Sequence, residues 1–312
     1  MSKVGVIFWK ELTDYFGSNK FMVVFLIIVI TSLSVGYIAS QNITAENAIP
    51  EYLFLNLFSS SGGTLPSLIF FISFFGPLIG IILGFDAISG ERSRGTISLL
   101  IAQPIYRDAI INGKFWAGIA TLAITLASII VIMAGLSMYT LGIVPNAKEI
   151  ARIGVFFIAS LIYIGFWLSL GILFSTSTKR SSSAALISIL IWIFVTFFIY
   201  MIAGVVADQV SPLTQGATQD MIARHEQIKS MVMRISPAVL FEEISIAVLN
   251  PSVRVFGYSY NEKSLESLIP KPLPLNQSIM VVWPQFIGLI ALTIVCFAIT
   301  YLIFMRQEIR ST

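Results

Sequence analysis

Six stretches of this sequence contain no Asp, Glu, Lys or Arg, and they constrain the fold more than any other feature. They cover residues 21–40, 67–85, 115–142, 153–175, 184–206 and 283–305. An apolar run of about 18 or more residues matches a hydrocarbon layer roughly 30 Å thick, where an α-helix satisfies its own backbone hydrogen bonds. The runs therefore predict an all-α, polytopic integral membrane protein with six transmembrane helices, organised as a single transmembrane domain over residues 1–312. The third run is long enough to tilt or to extend past the bilayer. Composition agrees: 56% of the residues are hydrophobic and 11% charged, against roughly 25% charged in ordinary soluble domains. Small residues after the first run, Ser34, Gly36 and Ala39, raise the alternative of a cleaved signal peptide. Its apolar stretch is too long for that, and Glu11 and Asp14 precede it, so a retained anchor is expected.

Loop charges set the orientation. The segments on the N-terminal side, 1–20, 86–114, 176–183 and 306–312, hold eleven Lys and Arg, whereas the short loops across the membrane, 41–66 and 143–152, hold two. Basic residues are retained on the cytoplasmic side, so both termini are expected there, in a multi-pass protein of the cell membrane. The net charge of +3 is then a topology signal and implies no nucleic-acid partner. The single cysteine, Cys296, lies in the sixth run, so no disulfide framework is expected.

The interiors of the runs hold no ionisable residue; Asp86 stands just beyond the second. Proton and ion relays normally place carboxylates, His or basic groups inside the membrane. Any transport energy is therefore expected to come from outside this chain. Gly76, Gly80 and Gly84 recur at spacing four in the second run beside Pro77, forming a helix-packing face for close approach of a neighbour. Bundle packing and a moving or dimeric seam are both compatible with that spacing.

Enzymatic readings fail on residue inventory. Gly135-Leu136-Ser137-Met138 fits the short motif of an intramembrane serine protease, but the one histidine, His225, falls in the external segment and cannot act as its base. Between Arg224 and Glu226, His225 reads as a solvated helix residue. No H-E-x-x-H zinc motif occurs, and no metal site or catalytic residue is expected.

The segment between the second and third runs carries the richest pattern. It reads Phe85-Asp86-Ala87-Ile88-Ser89-Gly90-Glu91-Arg92-Ser93-Arg94-Gly95-Thr96, then Ile97, Leu99, Leu100 and Ile101, then Gln103-Pro104, Arg107 and Gly113-Lys114. Thr96 stands where a phosphate loop needs lysine, and no strand precedes it, so this loop is not expected to bind ATP. Charged residues instead flank a short amphipathic stretch ended by Pro104, as in an element that docks a cytoplasmic partner. At Asp86, Gly90-Glu91-Arg92, Gly95-Thr96, Leu99-Leu100, Pro104, Arg107 and Gly113-Lys114 the chain resembles the ABC-2 type transporter permeases, including their NosY-like branch. The six-run layout, Ser236-Pro237 and Asn250-Pro251 extend the resemblance over most of the chain.

The resemblance implies a non-enzymatic membrane subunit whose 86–114 loop contacts a separate nucleotide-binding ATPase. The coupling residues it implies are Asp86, Glu91, Arg92, Arg94, Gly95, Thr96, Pro104, Arg107 and Lys114. It implies no cofactor in this chain, ATP being bound by the partner subunit. Six helices make half of the usual pathway, so a homodimer or a second permease chain is implied as well.

Before the first run, Val4, Ile7, Phe8, Leu12, Tyr15 and Phe16 recur at helical spacing, with Lys3, Lys10, Glu11 and Asp14 largely on other faces. Residues 1–20 are expected to form an interfacial helix in contact with lipid; the resemblance also implies that it reaches toward the ATPase. Ser175 to Ser183 reads as a tight hairpin turn, with or without a second partner contact. The external segment, 207–282, contains two expected helices, Gln219 to Ile235 and Pro237 to Leu249, the latter with Ser236 as N-cap and Asn250-Pro251 as stop. They are expected to cap an outer mouth or to dip into the bilayer, with Glu242 and Glu243 solvated or salt-bridged. Lys263, Glu266, Pro270, Lys271, Pro272 and Pro274 form an extended linker, and Asn42 and Asn276 sit in glycosylation acceptor patterns. The expected function is an ATP-driven permease; a non-transporting membrane scaffold acting through the external segment is the alternative.

Overall fold

The computed structural model describes residues 3–42, 52, 54, 55, 58, 67–96, 106–142, 144–213, 218–251 and 272–307. Their helices are α1 (Lys3–Gly17), α2 (Asn19–Asn42), α3 (Leu68–Gly84), α4 (Ser89–Ser93), α5 (Arg107–Leu141) and α6 (Ala147–Ser177). They continue with α7 (Ser181–Val210), α8 (Gln219–Met233), α9 (Pro237–Leu249), α10 (Leu275–Val281) and α11 (Trp283–Arg306). No strand occurs among the described residues. Six helices are long and apolar enough to cross a membrane: α2, α3 with its short continuation α4, α5, α6, α7 and α11.

Several helices outrun the apolar segments that announce them. The third begins at Arg107, and the fourth runs from Ala147 to Ser177. The start of α6 is fixed by a capping box, in which the Asn146 side chain accepts from the Glu149 amide and the Glu149 carboxylate accepts from the Asn146 amide, each at 2.9 Å. Glu149 also accepts from the Phe54 amide at 3.0 Å. Arg152 follows on the same helix, 1% exposed, donating to the carbonyls of Val248 (2.7 Å) and Leu273 and to Ser278 Oγ (3.3 Å). Arg152, counted above as a loop charge, thus fastens the far end of the bundle to α9 and α10.

Helix α6 is the axis. In α3 and α6, 67% of the most apolar window is buried, against 17% in α7 and α11, so the latter pair is peripheral. Association in lipid gains little from the hydrophobic effect and depends on packing. Along the α3–α6 contact a Cβ on Gly80 would lie 2.6 Å from the Ile164 carbonyl oxygen, and one on Gly84 2.6 Å from that of Leu168. Gly171 meets Gly84 from the other side, and Gly76 faces Ile164. The glycines therefore lie in a seam within the protomer. Residue numbers rise together along it, so α3 and α6 run parallel. The same holds for α11, whose Thr293 lies 3.5 Å from the Ile162 carbonyl and whose successor Gln307 donates to the Thr176 carbonyl at 3.0 Å. Hydroxyls inside the bundle, among them Thr121, Thr125, Ser160 and Ser169, donate to the carbonyl four residues earlier, so these hydrogens are satisfied within their own helices.

Beyond α7 the chain folds back. Helix α8 packs against α7, and α9 wedges between α6, α3 and α11. Two expectations fail here. His225 is not solvated: it is 5% exposed, with Nδ1 2.9 Å from the Ser211 carbonyl, because α8 turns this face against the end of α7. Ser236 occupies the N-cap position of α9 without capping it; its hydroxyl is buried and Pro237 at the first turn presents no amide. The linker residues 252–271 and the pattern around Asn42 after that residue lie outside the described residues, while Asn276 falls on α10.

The seam makes a direct prediction. Gly84→Val, which pushes two methyl groups into α6 backbone, is expected to destabilise the detergent-solubilised protein by roughly 1–3 kcal/mol or more. Gly135→Val, at a position with nothing within 4 Å of a new Cβ, is expected to leave the thermal unfolding midpoint close to wild type; equal midpoints for both variants would contradict the seam.

Candidate functional site

At the end of the bundle carrying both termini, residues 85–96 fold into a compact knot. Asp86 ends α3, a turn leads into α4, and Gly95 reverses the chain at φ 71°, a left-handed conformation that suits glycine. Gly90 packs so tightly on the Asp86 carboxylate that any Cβ there would collide with it. The backbone amides of Ile88 and Ser89 both donate to Ser175 Oγ, at 2.9 and 3.0 Å, and the Ser181 hydroxyl donates to Asp86. The hairpin between α6 and α7 therefore serves as the floor of the knot.

Two further elements close around it. From α1, Glu11 forms an ion pair with Lys114 of α5 at 2.7 Å, with side chains 8% and 2% exposed. Glu91 joins them, its carboxylate 3.6 Å from Lys114 and 3.3 Å from Lys10, while the Thr96 hydroxyl donates to it as well. Tyr15 of α1 donates to the Leu83 carbonyl at 3.1 Å. Ile7 and Glu11, one turn apart, are the buried residues of α1, and a Cβ on Gly113 would meet Ile7 at 2.7 Å, so α1 lies directly on the start of α5. On the opposite flank Arg92 donates to the Thr178 carbonyl (3.1 Å) and to Gln307 Oε1 (2.7 Å), and Arg107 donates to the Gln307 carbonyl (2.9 Å). Between α1 and the knot lies a recess of about 610 Å³, lined by Lys10, Glu11, Tyr15, Asp86, Glu91 and Lys114 among others.

The electrostatics follow from this packing. Burial alone would raise the Glu91 pKa, but the Thr96 hydroxyl, then Lys114 and Lys10, outweigh it and hold the carboxyl below its usual 4.5. For Lys10 burial opposes the charge, and the neighbouring Glu11, Glu91 and Asp14 outweigh it, so its pKa is raised. Three charges are thus sunk together, two acids around Lys114, with Lys10 closing the cluster from the rim.

The matching residues from the sequence divide into two groups. Glu91, Arg92, Arg107 and Lys114 hold the knot together, with Asp86 and Thr96 in supporting contacts. Ser93, Arg94 and Gly95 form its exposed tip, where Arg94 leans on Asp86 at 3.8 Å with 60% of its side chain exposed. Pro104 and the apolar residues Ile97, Leu99, Leu100 and Ile101 lie outside the described residues. Lys10, Glu11, Tyr15, Ser175, Ser181 and Gln307 belong to the assembly but carry no motif of their own. The one readable sign was Glu11, a charge placed one turn after Ile7 on an apolar face.

This loop sits on a chain that matches the ABC-2 family transporter proteins over residues 6–309. The chain belongs to that family. It is similar to a probable ABC transporter permease protein NosY of Pseudomonas aeruginosa, 32% identical over 140 residues, which cover 44% of this chain and 50% of the relative. It is also similar to the NosY protein of Stutzerimonas stutzeri, 26% identical over 203 residues, covering 64% of this chain and 68% of that one. The matched region thus spans about half the length of the first relative. In this ABC-2 permease the knot is the part that four separate segments of sequence cooperate to build.

Removing one member of a buried ion cluster leaves its partners unpaired, at a cost of about 3–5 kcal/mol. Lys114→Met is expected to lower the unfolding midpoint strongly, and Glu11→Gln in the same chain to restore part of the loss. The sign of the pH effect follows from Glu91: a depressed carboxyl stabilises fully above its usual 4.5 and loses that contribution as pH falls through the lower folded value. Thermal melts are therefore expected to hold between pH 7 and 5 on this account and to drop below 4.5. A Lys114→Met protein as stable as wild type would contradict the cluster.

Proposed function

We propose that this chain is the membrane subunit of an ABC-type transporter, moving a substrate across the cell membrane with energy from ATP hydrolysed by a separate nucleotide-binding subunit. The chain carries no phosphate loop, and its own six helices supply the route. Two copies, or this chain and a second permease, complete a pathway, and two ATPase subunits dock on the face that carries both termini, which is cytoplasmic.

The observation that supports this reading most is the division of the 86–96 knot into a buried base and an exposed tip. A loop that only fixed topology would leave its acids and bases in water. Here Glu91 and Lys114 are 7% and 2% exposed and tie the loop to α1 and α5, while Ser93, Arg94 and Gly95 project from the bundle. A rigid projection of this kind transmits force: a partner that moves the tip moves α3, α1 and the α6–α7 hairpin with it. The exposed Trp9 of α1 and Tyr106, which precedes α5 and covers Lys3, widen the same surface.

The roles predict different outcomes for neighbouring residues. Arg94→Glu is expected to leave the unfolding midpoint unchanged and to reduce co-purification of the ATPase subunit at least several-fold. Arg92→Glu breaks the links to Thr178 and Gln307 and is expected to lower both. Full ATPase recovery with Arg94→Glu and with the whole 93–95 tip replaced by alanine would contradict the docking assignment.

A further inference from the structure

Glu242 and Glu243 are neighbours on α9, yet the fold treats them differently. Glu243 is neutralised, with Arg234 Nε 3.0 Å from both of its oxygens and Gln285 Nε2 donating at 2.7 Å. Glu242 receives one hydrogen bond among the described residues, from the Ser73 hydroxyl at 2.7 Å. Among the described residues no Lys, Arg or His makes an ion pair with it, in contrast to Arg234 with Glu243.

The depth of this carboxylate follows from its neighbours. Phe241 stacks flat on Tyr163 with ring centroids 4.6 Å apart, and Tyr163 stands halfway along the 31-residue α6. The Tyr163 hydroxyl donates to the Ser73 carbonyl at 2.7 Å. Glu242 therefore lies level with the middle of the spans, where the sequence of the spans themselves offers no charge. An acid at that depth without a counter-ion is costly, and such residues mark substrate pathways.

Aromatic side chains flank Ser73 along α3 and continue onto α7. Phe70, three residues before Ser73 and 48% exposed, stacks on Phe74 at 6.0 Å, and Phe74 meets the edges of Trp192 and Phe197 on α7 at 5.2 and 6.1 Å. Tyr200, 44% exposed, follows Phe197 by three residues and lies within electrostatic reach of Glu242. These rings belong to a stretch of α7 containing a π-helical turn at Phe194–Phe198, an irregularity often found at functional sites. The carboxylate thus meets α3 at Ser73, between Phe70 and Phe74 in the chain, and the rings of Trp192 and Phe197 continue the aromatic surface onto α7.

We propose that Glu242, with Ser73 and the aromatic side chains of α3 and α7, forms a binding site for the ammonium group of an amphipathic organic cation. Hard metal ions need six or more oxygen ligands and zinc three or four His, Cys or carboxylate groups. One carboxylate and one hydroxyl fall short of either set, and the described residues contain no cluster of three such ligands. An ammonium group needs one counter-charge, and ring faces supply the rest of its attraction. That the bound cation is cargo rests on the permease reading above; the binding itself does not.

The test is isothermal titration calorimetry of the full-length protein in neutral maltoside micelles, with tetrabutylammonium as the probe and an uncharged amide of equal size as its comparison. Wild type is expected to bind tetrabutylammonium saturably and the uncharged analogue at least tenfold more weakly. Glu242→Gln, which keeps size and the Ser73 contact, is expected to lose at least tenfold in affinity, Glu242→Asp less, and Glu226→Gln on α8, whose carboxylate pairs with Lys229, nothing. Equal binding of charged and uncharged probes by wild type would overturn the proposal without any variant, as would unchanged affinity in Glu242→Gln or a site that takes up only protons. No ATPase enters the assay, so its outcome is independent of whether the docking assignment holds.

Discussion

The close approach of α3 to α6 is the contact on which the other features rest. With no hydrophobic force drawing helices together inside lipid, two spans hold a fixed register only where their surfaces interlock. Gly80 and Gly84 let α3 sink onto the α6 backbone, and Gly171 does the same in return. That register decides where α3 ends, and therefore where Asp86, Ser89 and Glu91 meet the Ser175 to Ser181 hairpin. It also aligns Ser73 with Tyr163, and so sets the depth at which α9 can insert between them.

Charge is handled oppositely at the two ends of this scaffold. At the terminus-bearing end, Glu11, Glu91 and Lys114 neutralise one another, and the result is a stiff knot joined to α1, α5 and the end of α11. At the other end Glu149 is held by backbone amides, and Arg152, held by backbone carbonyls, staples α9 and the start of α10 to the bundle. Between the ends the spans carry none, and α9 alone brings carboxylates alongside them. A scaffold built this way has rigid contacts at both ends, and one inserted helix sets the chemistry between them.

The membrane-spanning plan was legible in the sequence because lipid imposes a length and a composition that six charge-free runs satisfy. The residues of the 86–114 loop were legible as a pattern, though not which of them are buried and which exposed: Glu91 and Arg92 stand close to Arg94 in the chain, and only the tertiary contacts separate them. Glu11 was hidden because its partner Lys114 is 103 residues away. The glycine face of the second run was readable, but its partner α6 was not, since spacing names no neighbour. His225 and Glu242 were misjudged for one reason: helices expected to cap the bundle or dip into the bilayer were recognised, but not which of their side chains α8 and α9 turn inward.

The central claim is that the knot at residues 85–96 transmits the work of an ATPase to the spans. Ser93, exposed at its tip, offers the most direct measurement. With Cys296, half-buried in the last span, replaced by serine, a Ser93→Cys protein is expected to form a short-span cross-link to the nucleotide-binding subunit in the isolated complex. A cross-link of that kind whose yield changes when ATP is added is the predicted result. An intact complex with no cross-link from position 93, joined to its partner through other surfaces, would contradict the account.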